Sequence, residues 1–260
     1  MRFLCVIAMP RTGSSHLDKL FRSCRELNSK SEMFHGHAGF LTSPKEKAAL
    51  EALGCDAFDD KRQFALWRRR HAFETLDALH RAHGRFVVFK VFPSHLKPPM
   101  LEAEFLPRTD MAFAVLRRRP IECFISGIKT RTSHKFSKVD TTAIKPELQV
   151  ADFMTWARKM RRWYRWAYAA LKARGEPFAR LSFEEHLDGL SGEESLERIA
   201  PLLTPLGFPE IKIPHKIFEG MRQDKEPLFR ERAANWDAFE EAARADPDAA
   251  DYLEWALRAP

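Results

Sequence analysis

The stretch FLCVIAMPRTGSSHLDKLF, residues 3–21, decides the fold. Residues 3–9 form an uninterrupted apolar run, the pattern of a strand covered on both faces in a parallel sheet. Leu17, Leu20 and Phe21 then recur at helical spacing, which predicts a helix from about Ser15 to Arg25. Between them, PRTGSSHL (10–17) is a strand–turn–helix junction. The first amides of a helix have no partner within it, and the helix dipole adds partial positive charge, so such a turn can hold an anion. The amides of Thr12 to Ser15 belong to this turn, and Gly13 permits close approach of the backbone. Ser14 and Ser15 add hydroxyl donors, and Arg11 adds a guanidinium that can fork onto two oxygens. Read alone, the turn fits an ordinary junction equally well, with Thr12 or Ser14 as the helix cap. It is not the nucleotide loop G-x-x-x-x-G-K-[ST], because the second glycine and the lysine are missing.

Working outward, RFVVFKVF (85–92), DMAFAVL (110–116) and PFARLSF (177–183) read as further strands. Helical patterns cover 60–83, ended by Gly84, then 120–132, with Pro120 at the first helical position, and 150–175. Residues 28–44 and 133–148 are polar and loop-like. Strands and helices alternate over the first two thirds, and helices follow. That order predicts an α/β, three-layer P-loop-like fold: a central parallel sheet, helices on both faces, extra C-terminal helices, and one domain over 1–260. Ligands in such folds bind at the carboxyl ends of the strands, so the turns after the first and third strands are the places to search.

The formal charge of +7 and pI near 9.3 favour an anionic partner, without choosing between nucleic acid, a phosphorylated cofactor and an anionic glycan. Cys5, Cys24, Cys55 and Cys123 form no close pair, so the sequence offers no zinc-ligand spacing and no disulfide framework. A reducing, cytoplasmic setting is the expectation. The N-terminal apolar run is too short to span a membrane, and Pro10 and Arg11 follow it directly. In the helix 150–175, Phe153, Trp156, Met160, Trp163 and Ala167 form a core-facing stripe, and Arg158, Arg161, Arg162 and Arg165 form a solvated face. No nucleic-acid motif accompanies them.

The third strand leads into RRRPIECFIS (117–126). An arginine at the strand end and a serine on the following helix can close on one phosphate from two sides. Two anion sites on one sheet edge suggest one ligand with two separated anionic groups. Here PRTGSSHL resembles the 5′-phosphosulfate loop of sulfotransferases that use 3′-phosphoadenosine-5′-phosphosulfate (PAPS). LRRRPIECFIS resembles their 3′-phosphate motif, with Arg118 followed eight residues later by Ser126. RLSFEEHL (180–187) resembles the family's Tyr-Glu-Asp-Leu segment, with Phe183 in place of Tyr. MRQDKEPLFRERAANWDAF (221–239) resembles the late loop that lies over the nucleotide. The likeness is nearer to bacterial carbohydrate sulfotransferases of the nodulation-factor type than to cytosolic animal enzymes.

The resemblance implies sulfuryl transfer from PAPS to a hydroxyl of a carbohydrate or glycolipid, with adenosine 3′,5′-bisphosphate (PAP) as product and no metal. Arg11 would contact the phosphosulfate and its bridging oxygen, and Thr12, Gly13, Ser14 and Ser15 would hold the 5′-phosphate. Arg118 and Ser126 would hold the 3′-phosphate, with Arg222 and Gln223 reaching the same end. Glu32, in SKSEMFHGH, would be the general base, with His35, His37 and His95 as alternatives. Relatives with a catalytic histidine carry it in a Lys-Thr-His run after the second strand; this chain has KVF at 90–92, which favours Glu32. Other readings are an ATP-dependent phosphotransferase and a non-catalytic binder of an anionic polymer. The first lacks an acidic residue to hold magnesium where the third strand ends VLRRR. The acceptor, the role of 133–148 and self-association into a homo-oligomer are left open.

Overall fold

The computed structural model describes residues 1–36, 43–134, 139–208, 210–219, 223–226 and 228–254. Five strands, β1 (Phe3–Ile7), β2 (Leu27–Ser29), β3 (Phe86–Val91), β4 (Met111–Arg117) and β5 (Ala179–Ser182), form a sheet in the order β2-β3-β1-β4-β5. Every pairing is parallel. The helices are α1 (Ser14–Ser23), α2 (Pro44–Glu51), α3 (Lys61–Arg70), α4 (Ala72–His83), the short turn α5 (Pro98–Met100), α6 (Pro120–Ser133) and α7 (Val150–Arg174). They continue with α8 (Phe183–His186), α9 (Gly192–Leu203), α10 (Trp236–Ala245) and α11 (Pro247–Glu254). None of the described helices is long and apolar enough to cross a membrane.

Alternation along β1 builds two cores. Phe3, Cys5 and Ile7 face one side with Leu76 and Leu79 of α4 and Met160, Tyr164 and Leu171 of α7. Leu4, Val6 and Ala8 face the other with Leu17, Leu20 and Phe21 of α1 and Leu196, Ile199 and Leu203 of α9. Each of these leucine, isoleucine, valine, phenylalanine and methionine side chains contributes about 1.5–3 kcal/mol on full burial, which is why the central strands are apolar throughout. A third cluster seats the C-terminal helices: Trp236, Phe239 and Ala243 of α10 and Tyr252 of α11 pack on α6 and α7. Arg158 and Arg161 of α7, expected on a solvated face, also pair with Asp248 and Asp251 of α11 at 3.2 and 3.3 Å.

The register aligns the carboxyl ends. Ile7 lies opposite both Val91 and Val115, so β1, β3 and β4 finish at one edge. There α7 satisfies the backbone that the turns leave exposed. Trp163 Nε1 donates to Ala8 O at 3.0 Å. The Tyr164 hydroxyl donates to Leu116 O at 2.7 Å and accepts from Met9 N at 3.2 Å. Buried main-chain groups need such partners, and these fix where both turns begin.

Some local expectations change. β2 (Leu27–Ser29) overlaps the start of the stretch 28–44 read as loop; it is a three-residue edge strand, too short to show a period. The helical segment 60–83 breaks at His71 (φ −117°, ψ 48°), with no proline or glycine to announce it. α2 begins where the polar region 28–44 ends and starts with a Ser43–Glu46 capping box. Neither Thr12 nor Ser14 caps α1. Gly13 holds that position without a side-chain cap, and the Thr12 hydroxyl donates inward to Met9 O at 2.7 Å.

Candidate active site

The turn after β1 contains two left-handed residues, Arg11 (φ 71°) and Gly13 (φ 84°). The conformation is free for glycine and costs a residue with a Cβ about 1–2 kcal/mol, so Arg11 is held in a strained geometry. Gly13 is needed for a second reason. A Cβ there would lie 2.3 Å from Cδ2 of Phe183, the first residue of α8. The N–H groups of His16 and Leu17 both return to Gly13 O, at 2.9 and 3.1 Å, which leaves the amides of Ser14 and Ser15 ahead of the helix ladder.

β3 brings a lysine to this turn. Lys90 is 3% exposed, and its ammonium donates to Ser15 Oγ at 3.1 Å and Ser14 Oγ at 3.4 Å. It also lies 3.2 Å from Oε1 of Glu32. Glu32 follows β2, and its other oxygen stands 3.5 Å from Nε2 of His95, the long end of hydrogen-bonding range. Burial pushes the Glu32 carboxyl up, but the hydrogen bond from His95 and the charge of Lys90 outweigh it, and its pKa falls to about 2. Ligand atoms of Glu32, His35 and His95 lie within 4.8 Å of one another, close enough to hold a metal ion. The tautomer argues for a different role. Nδ1 of His95 accepts the Phe92 N–H at 3.3 Å, so the proton of a neutral ring sits on Nε2 and faces the carboxylate.

The turn after β4 is built from ion pairs. Pro120 opens α6 as the sequence predicts. Arg118 donates through Nε and Nη2 to Oε2 of Glu122, at 2.9 and 2.7 Å, and stacks over the Phe183 ring at 4.1 Å. Its Nη1 reaches Arg11 O at 3.2 Å, and the Cys123 thiol donates to the same carbonyl at 3.4 Å. Burial lifts that thiol to about 12, so it stays protonated at neutral pH. The Arg11 guanidinium crosses to this turn, donating from Nε to Ser126 Oγ at 3.0 Å and from Nη2 to Gln223 Oε1. Burial and the neighbouring Arg118 hold its pKa below the ordinary arginine value.

One cavity of about 810 Å³ unites the two turns. Its wall includes Arg11, Gly13, Ser14, Ser15, Arg118 and Ser126, with Gln223 from the late loop. The lining also includes Phe183, Leu187, Leu190 and Phe218, with His16 and Lys19, and Phe183 sits against both Gly13 and Arg118. The combination suits a ligand that carries both anionic groups and an apolar ring. Thr12 is fully buried beneath the turn and does not line the cavity. Glu32 is not on the cavity wall; Lys90 links it to Ser15. Arg222 and His37 fall outside the described residues.

Three participants escaped the sequence reading. Lys90 had a usable signal, a charge near the carboxyl end of an otherwise apolar strand. Lys129 and Asp224, paired at 2.6 Å in the cavity wall, are 95 residues apart and had none. The Asn-Trp pair of the late loop proves to be a brace. Asn235 accepts from Leu148 N at 2.8 Å and donates to Leu148 O at 3.0 Å, while Trp236 is buried at the start of α10.

A strand–turn–helix junction, a second turn carrying Arg118 and Ser126, and a cavity lined by both make up the candidate site. The chain matches the sulfotransferase family over residues 4–198 and belongs to it. Among solved structures it is similar to the sulfotransferase domain of the Synechococcus PCC 7002 olefin synthase, at 12% identity and a TM-score of 0.55, over 100% of this chain and 96% of that one. It is likewise similar to the sulfotransferase domain from the curacin biosynthetic pathway, at 11% identity and a TM-score of 0.52, over 99% of this chain and 98% of that one. At such identities the likeness speaks for the fold. No curated protein matches the chain in sequence.

Proposed function

We propose that the chain, working as one unit over 1–260 in the cytoplasm, transfers the sulfuryl group of PAPS to a hydroxyl of a carbohydrate or glycolipid. The observation that carries this reading is the single cavity onto which Gly13–Ser15, Arg118 and Ser126 converge, with Glu32 joined to its edge through Lys90. The Ser14 and Ser15 amides and hydroxyls hold the 5′-phosphate, with Gly13 letting the backbone close on it. Arg118, Ser126 and Gln223 serve the 3′-phosphate, and the resemblance assigns Arg222 the same task. Arg11, shared between the turns, stabilises charge on the bridging oxygen.

In the proposed step Glu32 takes the proton of the acceptor hydroxyl. The acceptor oxygen forms a bond to sulfur as the bond from sulfur to the bridging phosphate oxygen breaks. PAP leaves with that electron pair. A carboxylate held near a pKa of about 2 is a weak base. Drawing Lys90 onto the sulfuryl oxygens removes one of the two partners that depress it and strengthens it when the donor is in place.

Calorimetry with PAP and with 5′-AMP tests the donor. Tighter binding of PAP is expected, and equal binding overturns the reading. Labelled PAPS offered to a panel of glycans, glycolipids and non-sugar alcohols tests the acceptor class. Labelling confined to the non-sugar alcohols overturns that part.

A further inference from the structure

Lys129 lies one turn beyond Ser126 on α6, and Arg118, Glu122, Ser126 and Lys129 all line the cavity. Its side chain is 2% exposed. Its ammonium donates to Asp224 Oδ2 at 2.6 Å, the one hydrogen-bond partner it has among the described residues. A lysine ammonium carries three N–H donors, so the protein uses a fraction of what this one offers. Burial pulls its pKa down and Asp224 pulls it back. Buried ion pairs add little net stability, because desolvation of both charges offsets their attraction. A lysine kept at this depth in a cavity wall is better explained by a third party, an anion that shares or takes over its donors.

Asp224 belongs to the short segment 223–226, whose other ties run to different places. Gln223 O accepts from Thr141 N at 2.7 Å, Lys225 N donates to Thr142 Oγ1 at 2.9 Å, and Lys225 pairs with Asp140 at 2.8 Å. These contacts hold the segment to residues 140–142 and demand nothing of Lys129. The Lys129–Asp224 pair can therefore exchange without releasing the whole loop. The same arrangement recurs at Arg118, whose guanidinium a carboxylate, Glu122, also holds at 2.7 Å.

Resting on the donor reading above, we propose that Lys129 is a further specificity-determining residue for the nucleotide's 3′-phosphate and that Asp224 is its built-in competitor. Phosphate oxygens replace the Asp224 carboxylate on the ammonium. The segment 223–226 then stays anchored through residues 140–142 while losing its hold on α6. No covalent bond changes in this exchange.

Calorimetry with PAP and 5′-AMP on the wild-type chain, Lys129→Gln, Lys129→Arg and Asp224→Asn tests it. Lys129→Gln should lose about tenfold in PAP affinity, the scale of one charge-assisted hydrogen bond, with 5′-AMP affinity unchanged. Lys129→Arg should keep most of the preference for PAP, and Asp224→Asn should bind PAP severalfold more tightly. A wild-type chain without preference for PAP overturns the donor reading and this inference with it. A wild-type preference that survives intact in Lys129→Gln overturns this inference alone. Should Lys129→Gln fail to fold by circular dichroism, Asp224→Asn decides: tighter PAP binding supports the exchange, and unchanged or weaker binding overturns it.

Discussion

The turn after β1 and the turn after β4 leave neighbouring strands at the same edge of the sheet, yet they are made of different materials. The first offers main-chain amides at a helix start, two hydroxyls and a lysine brought in from β3. Its donors are fixed dipoles that need no rearrangement to meet an anion. The second offers a guanidinium already matched to the carboxylate of Glu122. An anion arriving there must compete. The difference teaches a division of labour: the first turn is suited to holding a group undergoing chemistry, and the second to discriminating between ligands through exchange of partners.

The largest effect that would sharpen this contrast comes at Glu32. Glu32→Gln should lower kcat by about 10²–10⁴ while leaving PAP affinity near wild type, since base catalysis lies in the reacting half alone. Loss of PAP affinity instead of kcat would place Glu32 in binding. The same substitution has a stability signature. With the Glu32 pKa lowered from 4.5 to about 2, its contribution is present above pH 4.5 and lost as pH falls towards 2. Thermal unfolding followed across that window should show a shallower acid decline in Glu32→Gln than in the wild-type chain.

Next in size is Arg118→Ala. It should weaken PAP by about tenfold to a hundredfold, as expected for a lost charged hydrogen-bonding partner, with little change for 5′-AMP. Equal loss for both ligands would break the division between the turns. Smaller is Gly13→Ala, which forces a Cβ to 2.3 Å from the Phe183 ring at a φ of 84°. It should cost about 1–3 kcal/mol of stability. Pairing it with Phe183→Leu should recover part of the loss in the melting temperature, whereas full additivity of the two would argue against that contact.

Long periodic or uniformly apolar segments were legible before any coordinates. β1, β3, β4 and β5, α6 and α7 announced themselves because burial on both faces or on one stripe leaves a pattern in the chain. β2 did not, since Leu27–Ser29 is short and lies at an edge. The break at His71 did not, because no proline or glycine marks it. At the site, Gly13, Ser14, Ser15, Arg118 and Ser126 were readable as local motifs, and the parallel register brought them together. Gln223 was named through the late loop's likeness to the family, whereas Lys129 and Asp224 depend on how that loop returns over α6, and no local pattern encodes that return. The sequence reading of Arg11 supplied its chemistry but not its direction. Its hydrogen bonds to Ser126 and Gln223 show that the side chain crosses from one turn to the other.

That crossing has a consequence for ligand length. The Arg11 carbonyl receives Arg118 and Cys123, and the Arg11 side chain grips Ser126, so one residue rivets both turns together. On the proposed donor reading, the gap between the two turns then acts as a ruler with rigid ends. A nucleotide whose two charged groups are spaced differently, by a 2′- in place of a 3′-phosphate or by a longer chain at the 5′ end, would have to pull those rivets before it could occupy both.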